Sequence, residues 1–166
     1  IQGIYSLFDA RTRSPLAQCD GAALTLLRTA SVTAAMLRKL KVATSPKVAV
    51  FGSGPQALAH ILATREISQP SEVSIFARNQ QSCAELIAGL AQQGIEVCPG
   101  TPTKLAEADL IITATTARSP LFTLSEIKPD CVIAAVGSHE AAAREIGSDA
   151  VGASQVFIEE HDACLR

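Results

Sequence analysis

The spacing of apolar residues alternates between two patterns over most of the chain. Short apolar or β-prone runs predict buried strands at 48–51, 73–76, 95–98, 110–114, 131–136 and 156–158. Between them, apolar residues recur every three or four positions, which predicts helices at 58–67, 80–93, 103–108, 121–127 and 144–150. Regular alternation of strand and helix predicts an α/β fold with a doubly wound parallel sheet.

The first 45 residues have a different pattern. Two short runs, 1–7 and 15–18, predict strands joined by a polar turn, and helical spacing follows over 22–40. Because a two-stranded sheet is marginally stable alone, we expect this hairpin to belong to a larger sheet formed with residues upstream. We therefore divide the chain into a partial domain at 1–45, a nucleotide-binding domain at 46–158, and a return to the first domain at 159–166.

A glycine-rich turn follows the first strand of the main sheet. Gly52 permits the tight turn, and Gly54 lets backbone N–H groups approach a pyrophosphate without a Cβ in the way. Ala57 stands where a third small residue lets the helix pack close to the strand. This arrangement is typical of a Rossmann dinucleotide-binding fold, although a tight turn with nothing bound is the alternative. The predicted cofactor-binding residues here are Gly52, Ser53, Gly54, Pro55, Gln56 and Ala57.

The end of the second strand favours a phosphorylated cofactor. Enzymes that prefer NAD place an acid at this position to accept bonds from the ribose hydroxyls. This chain has Arg78, whose fork of donors suits a 2′-phosphate, and Asn79, which adds a donor and can cap the next helix. NADP(H) is therefore predicted over NAD(H), with an exposed arginine as the alternative.

Polar and small residues follow the fourth and fifth strands, where a nicotinamide ribose would lie. The predicted contacts there are Thr115, Thr116, Val136, Gly137 and Ser138, although ordinary turn chemistry explains the same residues.

Two further positions in this region are charged or titratable. His139 is a candidate proton donor because histidine titrates near neutrality, and a surface loop histidine is the alternative. Arg144 and Glu145 are expected to be solvated or locally paired.

Composition excludes several classes of partner. The 166 residues carry a formal charge of −2, with 48% hydrophobic and 18% charged residues, which does not favour nucleic acid or an anionic membrane. No apolar run approaches the roughly 20 residues that span a bilayer. The five cysteines form no C-x-x-C pair, so free thiols and a cytoplasmic location are expected. No spacing of ligands predicts a metal site.

Several motifs together resemble the ornithine cyclodeaminase/mu-crystallin family. They are Leu24-Thr-Leu-Leu-Arg-Thr29, the glycine corner at 51–57, the segments 114–116 and 135–138, and Arg144-Glu145. The resemblance implies a Rossmann domain beside a dimerising, substrate-binding domain, and a homodimer. Residues alone leave Arg28 as a solvated arginine, but the resemblance implies that it binds a substrate carboxylate. Thr25 lies on the same helical face and is included as a substrate contact.

Within this family, the residues favour one group of members. Cyclodeaminases carry Gly-Asp after the fifth strand, where this chain has Ser138-His139, and the missing acid beside Arg78 disfavours an NAD-linked alanine dehydrogenase. The resemblance thus implies an NADPH-dependent ketimine reductase acting on Δ1-pyrroline-2-carboxylate or Δ1-piperideine-2-carboxylate, giving L-proline or L-pipecolate. A non-catalytic NADPH-binding protein and an ornithine cyclodeaminase remain the alternatives.

Overall fold

The computed structural model describes residues 3–40, 42–138, 140 and 142–160. Seven strands and five helices follow one another along these ranges. The strands are β1 (Ile4–Phe8), β2 (Pro15–Asp20), β3 (Lys47–Phe51), β4 (Glu72–Phe76), β5 (Cys98–Pro99), β6 (Leu110–Thr113) and β7 (Val132–Ala135). The helices are α1 (Gly21–Leu40), α2 (Pro55–Ile67), α3 (Gln80–Ala91), α4 (Pro102–Ala106) and α5 (Ser148–Gly152), with a 3-10 turn at Leu124–Glu126.

Five strands form one parallel sheet in the order β5-β4-β3-β6-β7. The order changes direction at β3, so β4 and β6 flank it and their carboxyl ends lie together. This is the point at which ligands bind in such sheets. The predicted α/β fold with a doubly wound parallel sheet is confirmed.

The two faces of β3 are buried under different elements. Val48 and Val50 belong to a core cluster that includes Leu37 of α1, Ile61 of α2 and Leu90 of α3. Each large apolar side chain buried in this way stabilises the fold by about 1.5–3 kcal/mol.

The other face of β3 carries Ala49 and Phe51. They pack with Leu105 of α4 and with Phe122, which precedes the 3-10 turn. Helical elements therefore cover both faces, which explains why β3 is a continuous apolar run rather than an alternating one.

The edges of the sheet differ from the sequence prediction. The strand expected at 95–98 is reduced to β5, and Gly100 after it leaves no room for a Cβ beside the ring of Phe76. The strand expected at 156–158 does not form: Val156, Phe157 and Ile158 are exposed, and the sheet ends at β7. Apolar residues alone do not make a strand where no sheet edge pairs with them.

Several helices differ in their bounds from the prediction, and α2 begins three residues earlier, at Pro55. The α4 helix starts at Pro102, one residue before the predicted start, because the hydroxyl of Thr101 accepts a hydrogen bond from the Lys104 backbone N–H at 3.3 Å and caps the helix. The helix expected at 144–150 is the shorter α5, and residues before Ser148 follow an irregular path. The helix expected at 121–127 is only the 3-10 turn.

The amino-terminal hairpin forms a separate two-stranded sheet and contacts α1. β1 and β2 pair in antiparallel fashion as predicted, and every residue of both strands is exposed. α1 buries Ala30 and Leu37 and packs against α2. None of the helices in the described residues is both long and apolar enough to cross a membrane.

Candidate functional site

A cleft of about 1250 Å³ opens at the carboxyl ends of β3, β4, β6 and β7 and is bounded on one side by α1. The sequence-predicted residues that line it are Thr25, Arg28, Gly52, Ser53, Gly54, Pro55, Gln56, Arg78, Asn79, Thr115, Thr116, Val136, Gly137 and Ser138. His139 lies outside the described residues. Among the predicted positions that the structure describes, the fold thus brings all but Ala57 to one place.

Gly52 makes the turn out of β3. Its φ of +116° is strained for any residue with a side chain, and a Cβ there would lie 2.5 Å from the backbone oxygen of Ala114. Its N–H donates to the carbonyl oxygen of Phe76 at 2.8 Å, which ties the turn to β4. Only glycine fits this position.

The start of α2 faces the cleft with free backbone donors. Gly54 is the N-cap residue and makes no side-chain cap, and Pro55 occupies the first helical turn. A Cβ on Gly54 would meet no protein atom within 4 Å, so the space beside it is open. An uncapped helix start with adjacent open space fits a pyrophosphate.

The next two residues of α2, Gln56 and Ala57, are both predicted cofactor contacts, but only Gln56 lines the cleft. The Oε1 atom of Gln56 is buried and has no hydrogen-bond partner among the described residues. Ala57, predicted to contact cofactor, does not line the cleft; it is fully buried in the core between α2 and the sheet. Its small size serves helix–strand packing, as expected from the sequence, and its contact with a cofactor stays a prediction.

After β4, the side chain of Asn79 is bonded within the protein, whereas that of Arg78 is exposed. The side chain of Asn79 accepts a hydrogen bond from the Ser82 backbone N–H at 3.1 Å and caps α3, as predicted. Arg78 is exposed at the cleft. Its guanidinium is therefore accessible to an anionic group bound in the cleft.

The carboxylate of Glu145 joins the ends of β6 and β7 by hydrogen bonds, and this role was not predicted from the sequence. Glu145 was expected to be solvated or locally paired with Arg144, but it is 0% exposed. Its oxygens accept hydrogen bonds from Thr113, Thr115 and Gly137, whereas Arg144 donates to Ser148. The Arg144-Glu145 pair within the family motif was the only sequence signal for this role.

A buried histidine connects α1 to the first turn of α2. The ring of His60 contacts the Thr33 hydroxyl at 3.1 Å and the Gln56 carbonyl oxygen at 2.8 Å. Since a carbonyl only accepts, Nδ1 carries the proton and Nε2 accepts from Thr33. Burial lowers the pKa of His60. Sequence analysis gave this residue no role.

The predicted substrate contacts, Thr25 and Arg28, lie on α1 and line the cleft. A guanidinium nitrogen of Arg28 is 3.7 Å from a carboxylate oxygen of Glu159, and both side chains are more than half exposed. The Thr25 hydroxyl donates to the Gly21 carbonyl oxygen at 2.8 Å, so its proton is used within the helix. Glu159 lines the cleft and was not predicted from sequence.

Comparison with known proteins gives consistent results. The ketimine reductase mu-crystallin of Mus musculus is 31% identical over 165 residues, which are 99% of this chain and 52% of that protein. Delta(1)-pyrroline-2-carboxylate reductase of Colwellia psychrerythraea is 28% identical, over 96% of this chain and 52% of that protein. The chain thus spans about half the length of these curated relatives.

A solved structure of similar fold is the Delta(1)-pyrroline-2-carboxylate reductase of Thermococcus litoralis in complex with NADH and L-proline. It matches with a TM-score of 0.83 and 26% identity, over 90% of this chain and 47% of that one. A sequence model of the ornithine cyclodeaminase/mu-crystallin family matches residues 1–165. The chain therefore belongs to the ornithine cyclodeaminase/mu-crystallin family.

Proposed function

We propose that the full-length protein is an NADPH-dependent reductase of cyclic ketimine carboxylates. The observation that carries this proposal is that one cleft contains both a dinucleotide-type glycine corner, at Gly52 and Gly54, and the guanidinium of Arg28. A pyrophosphate and a small carboxylate would therefore be held in the same space. The names of the similar ketimine and pyrroline-2-carboxylate reductases support the same reaction class.

Each group has a task that its chemistry suits. The uncapped start of α2 offers backbone N–H groups to a pyrophosphate. Arg28 offers two parallel donors to the substrate carboxylate, which orients the C=N bond. When bound, NADPH supplies the hydride that reduces this bond. His139 remains the proposed proton donor to the imine nitrogen.

The preference for NADPH rests on Arg78. The segment Ala77-Arg78-Asn79 contains no acid to bind ribose hydroxyls, and Arg78 is accessible at the cleft. We expect Arg78→Asp to weaken NADPH binding by roughly tenfold or more, the loss of a hydrogen bond between charged groups, while NADH binding changes little. Calorimetry with both nucleotides measures this difference. Equal losses for NADPH and NADH would remove the argument for the phosphorylated cofactor.

The reaction itself is tested with the full-length protein. NADPH oxidation is followed at 340 nm with Δ1-pyrroline-2-carboxylate and with Δ1-piperideine-2-carboxylate, giving L-proline or L-pipecolate. Arg28→Lys keeps the charge but loses the fork, so we expect a raised KM for the imine and unchanged NADPH affinity. Arg38→Lys, on the same helix and outside the cleft, is the matched control.

Other outcomes identify the alternatives. Tight NADPH binding without turnover would indicate a non-catalytic binding protein of the mu-crystallin type. Ammonia release from ornithine without net NADPH consumption would indicate a cyclodeaminase. A homodimer and a cytoplasmic location are part of the proposal, and sedimentation of the full-length protein tests the first of them.

A further inference from the structure

Glu145 is a buried acid that hydrogen-bonds two strand ends. It is 0% exposed and accepts four hydrogen bonds, at 2.8 Å from the Thr113 hydroxyl, 2.7 Å from the Thr115 N–H, 2.5 Å from the Thr115 hydroxyl and 2.7 Å from the Gly137 N–H. Four donors match the acceptor capacity of one carboxylate. No described side chain forms an ion pair with it.

The donors select an acid over an amide. The Thr115 N–H points at Oε1 and the Gly137 N–H points at Oε2, so each oxygen faces a backbone donor that cannot turn away. A glutamine here would set its NH2 group against one of these N–H groups. A buried donor left without an acceptor is costly, so the chain needs a carboxylate at this point.

The Glu145 carboxylate links the β6 and β7 chains just beyond their last backbone hydrogen bond. The last backbone bond between β6 and β7 runs from the Val136 N–H to the Thr113 carbonyl oxygen at 2.9 Å. Beyond that bond, Glu145 bridges Thr115 and Gly137, and both of these residues line the cleft. The contact is close, because a Cβ on Gly137 would lie 2.5 Å from a Glu145 oxygen.

Glu145 is itself fixed by its own backbone. Its N–H donates to the Ser138 hydroxyl at 3.2 Å, and its carbonyl oxygen accepts from the Leu121 N–H at 2.9 Å. Both backbone polar groups of Glu145 are therefore bonded, which supports its side chain where it bridges the two strand ends.

We propose that Glu145 is the positioning residue for the half of the cleft that receives the nicotinamide ring. It acts through Thr115 and Gly137 and does not touch the ligand. The inference rests on the proposed function, because it assigns the phosphate half of the cofactor to the β3 corner and the reactive half to the ends of β6 and β7.

The test compares a whole cofactor with a fragment that lacks nicotinamide. Calorimetry on the full-length protein measures binding of NADPH and of 2′-phospho-ADP-ribose to Glu145→Gln and Glu145→Asp. We expect Glu145→Gln to weaken NADPH binding tenfold or more and to leave the fragment within twofold. Glu145→Asp keeps the charge and should recover part of the loss. Glu140→Gln, an exposed acid in the same loop, is the control and should change neither.

The outcomes separate the two claims. Equal weakening of NADPH and fragment by Glu145→Gln would overturn the inference and indicate a general structural role. Failure of the unsubstituted protein to bind either ligand would instead refute the proposed function. If Glu145→Gln does not fold, Thr113→Val carries the test, since it removes one hydroxyl donor from a buried position. A loss for NADPH alone supports the inference, and an equal or absent loss overturns it.

Discussion

The two halves of the cleft are held in place by different means. At the β3 corner, backbone conformation determines the shape of the cleft: Gly52 has a positive φ, and α2 starts without a side-chain cap. At the ends of β6 and β7, a side chain from a loop 30 residues farther along than Thr115 supplies the hydrogen bonds. The first half is fixed mainly by backbone conformation, and the second half depends on a tertiary contact made by a side chain.

A glycine in each half makes the contrast concrete. The position of a Cβ on Gly54 is empty of protein, whereas a Cβ on Gly137 would lie 2.2 Å from the Thr115 carbonyl oxygen. Gly54 thus leaves space that a ligand can fill, and Gly137 leaves space that the protein already fills. The same residue type leaves open space in one half and permits close packing in the other.

Gly137→Ala should have the largest effect on stability. The added methyl meets both backbone and the Glu145 carboxylate, so β6 and β7 must move apart. We expect a loss of about 1–3 kcal/mol from overpacking, together with weaker NADPH binding. Urea unfolding measures the first quantity and calorimetry the second. An unchanged midpoint would mean that the two strand ends are not rigidly coupled.

Gly52→Ala should cost a similar amount of stability but act on the other half. A side chain at a φ of +116° stores about 1–3 kcal/mol of backbone strain, and its Cβ approaches the Ala114 carbonyl oxygen. Gly54→Ala is the matched control, because its φ is −90° and its Cβ meets no protein. We expect Gly54→Ala to stay within about 1 kcal/mol in stability and yet to lose NADPH affinity. If both substitutions lowered the free energy of unfolding equally, the difference in backbone strain between Gly52 and Gly54 would be contradicted.

The same division explains which parts of the site were predictable. Gly52, Gly54 and Asn79 act through their own neighbours in sequence, so turn and capping rules were sufficient. Glu145 and His60 act on residues on other elements, and no spacing rule places a lone acid or histidine in the interior. Glutamate is mostly exposed in folded proteins, so the general rule pointed the wrong way for Glu145.

Element boundaries failed for a related reason. The loop before Ser148 is not helical because Glu145 is drawn toward the strand ends. The segment 156–158 has strand composition but lies beyond the last strand of the sheet. The order and the type of the central elements were predicted correctly from the apolar pattern. These elements pack on the two faces of β3, so their apolar residues recur with the spacing of a buried strand or helix face.

One side-chain contact does reach the β3 corner, and it should be acid-sensitive. His60 links Thr33 of α1 to the Gln56 carbonyl in the first turn of α2. Burial lowers its pKa in the folded protein below the usual 6.5, so the unfolded chain binds the proton first. The free energy of unfolding should therefore fall as pH drops below about 6.5, by at most about 1.4 kcal/mol per pH unit for this one group.

Thr33→Val tests the link at neutral pH. It removes the donor to the His60 ring without changing the shape of the side chain, so we expect a loss of about 1 kcal/mol. Urea unfolding at pH 7.5 and 5.5 measures both effects, and His60→Gln should reduce the acid-dependent part. If His60→Gln keeps the full pH dependence, other groups are responsible for it.

The smallest expected effect concerns the α1 side of the cleft, where Arg28 faces Glu159 at 3.7 Å. Both side chains are more than half exposed, so the pair contributes about 0–1 kcal/mol to stability. A bound carboxylate competes with Glu159 for the guanidinium, and Glu159→Gln should raise the affinity for cyclopentanecarboxylate up to a few-fold. Glu160→Gln, which changes an adjacent exposed acid outside the cleft lining, should not change this affinity.

L-proline differs from cyclopentanecarboxylate by its cationic nitrogen. If Glu159→Gln raises the affinity less for L-proline than for cyclopentanecarboxylate, Glu159 attracts that nitrogen. Equal affinities in all three proteins would show that Glu159 does not compete with the ligand for the Arg28 guanidinium.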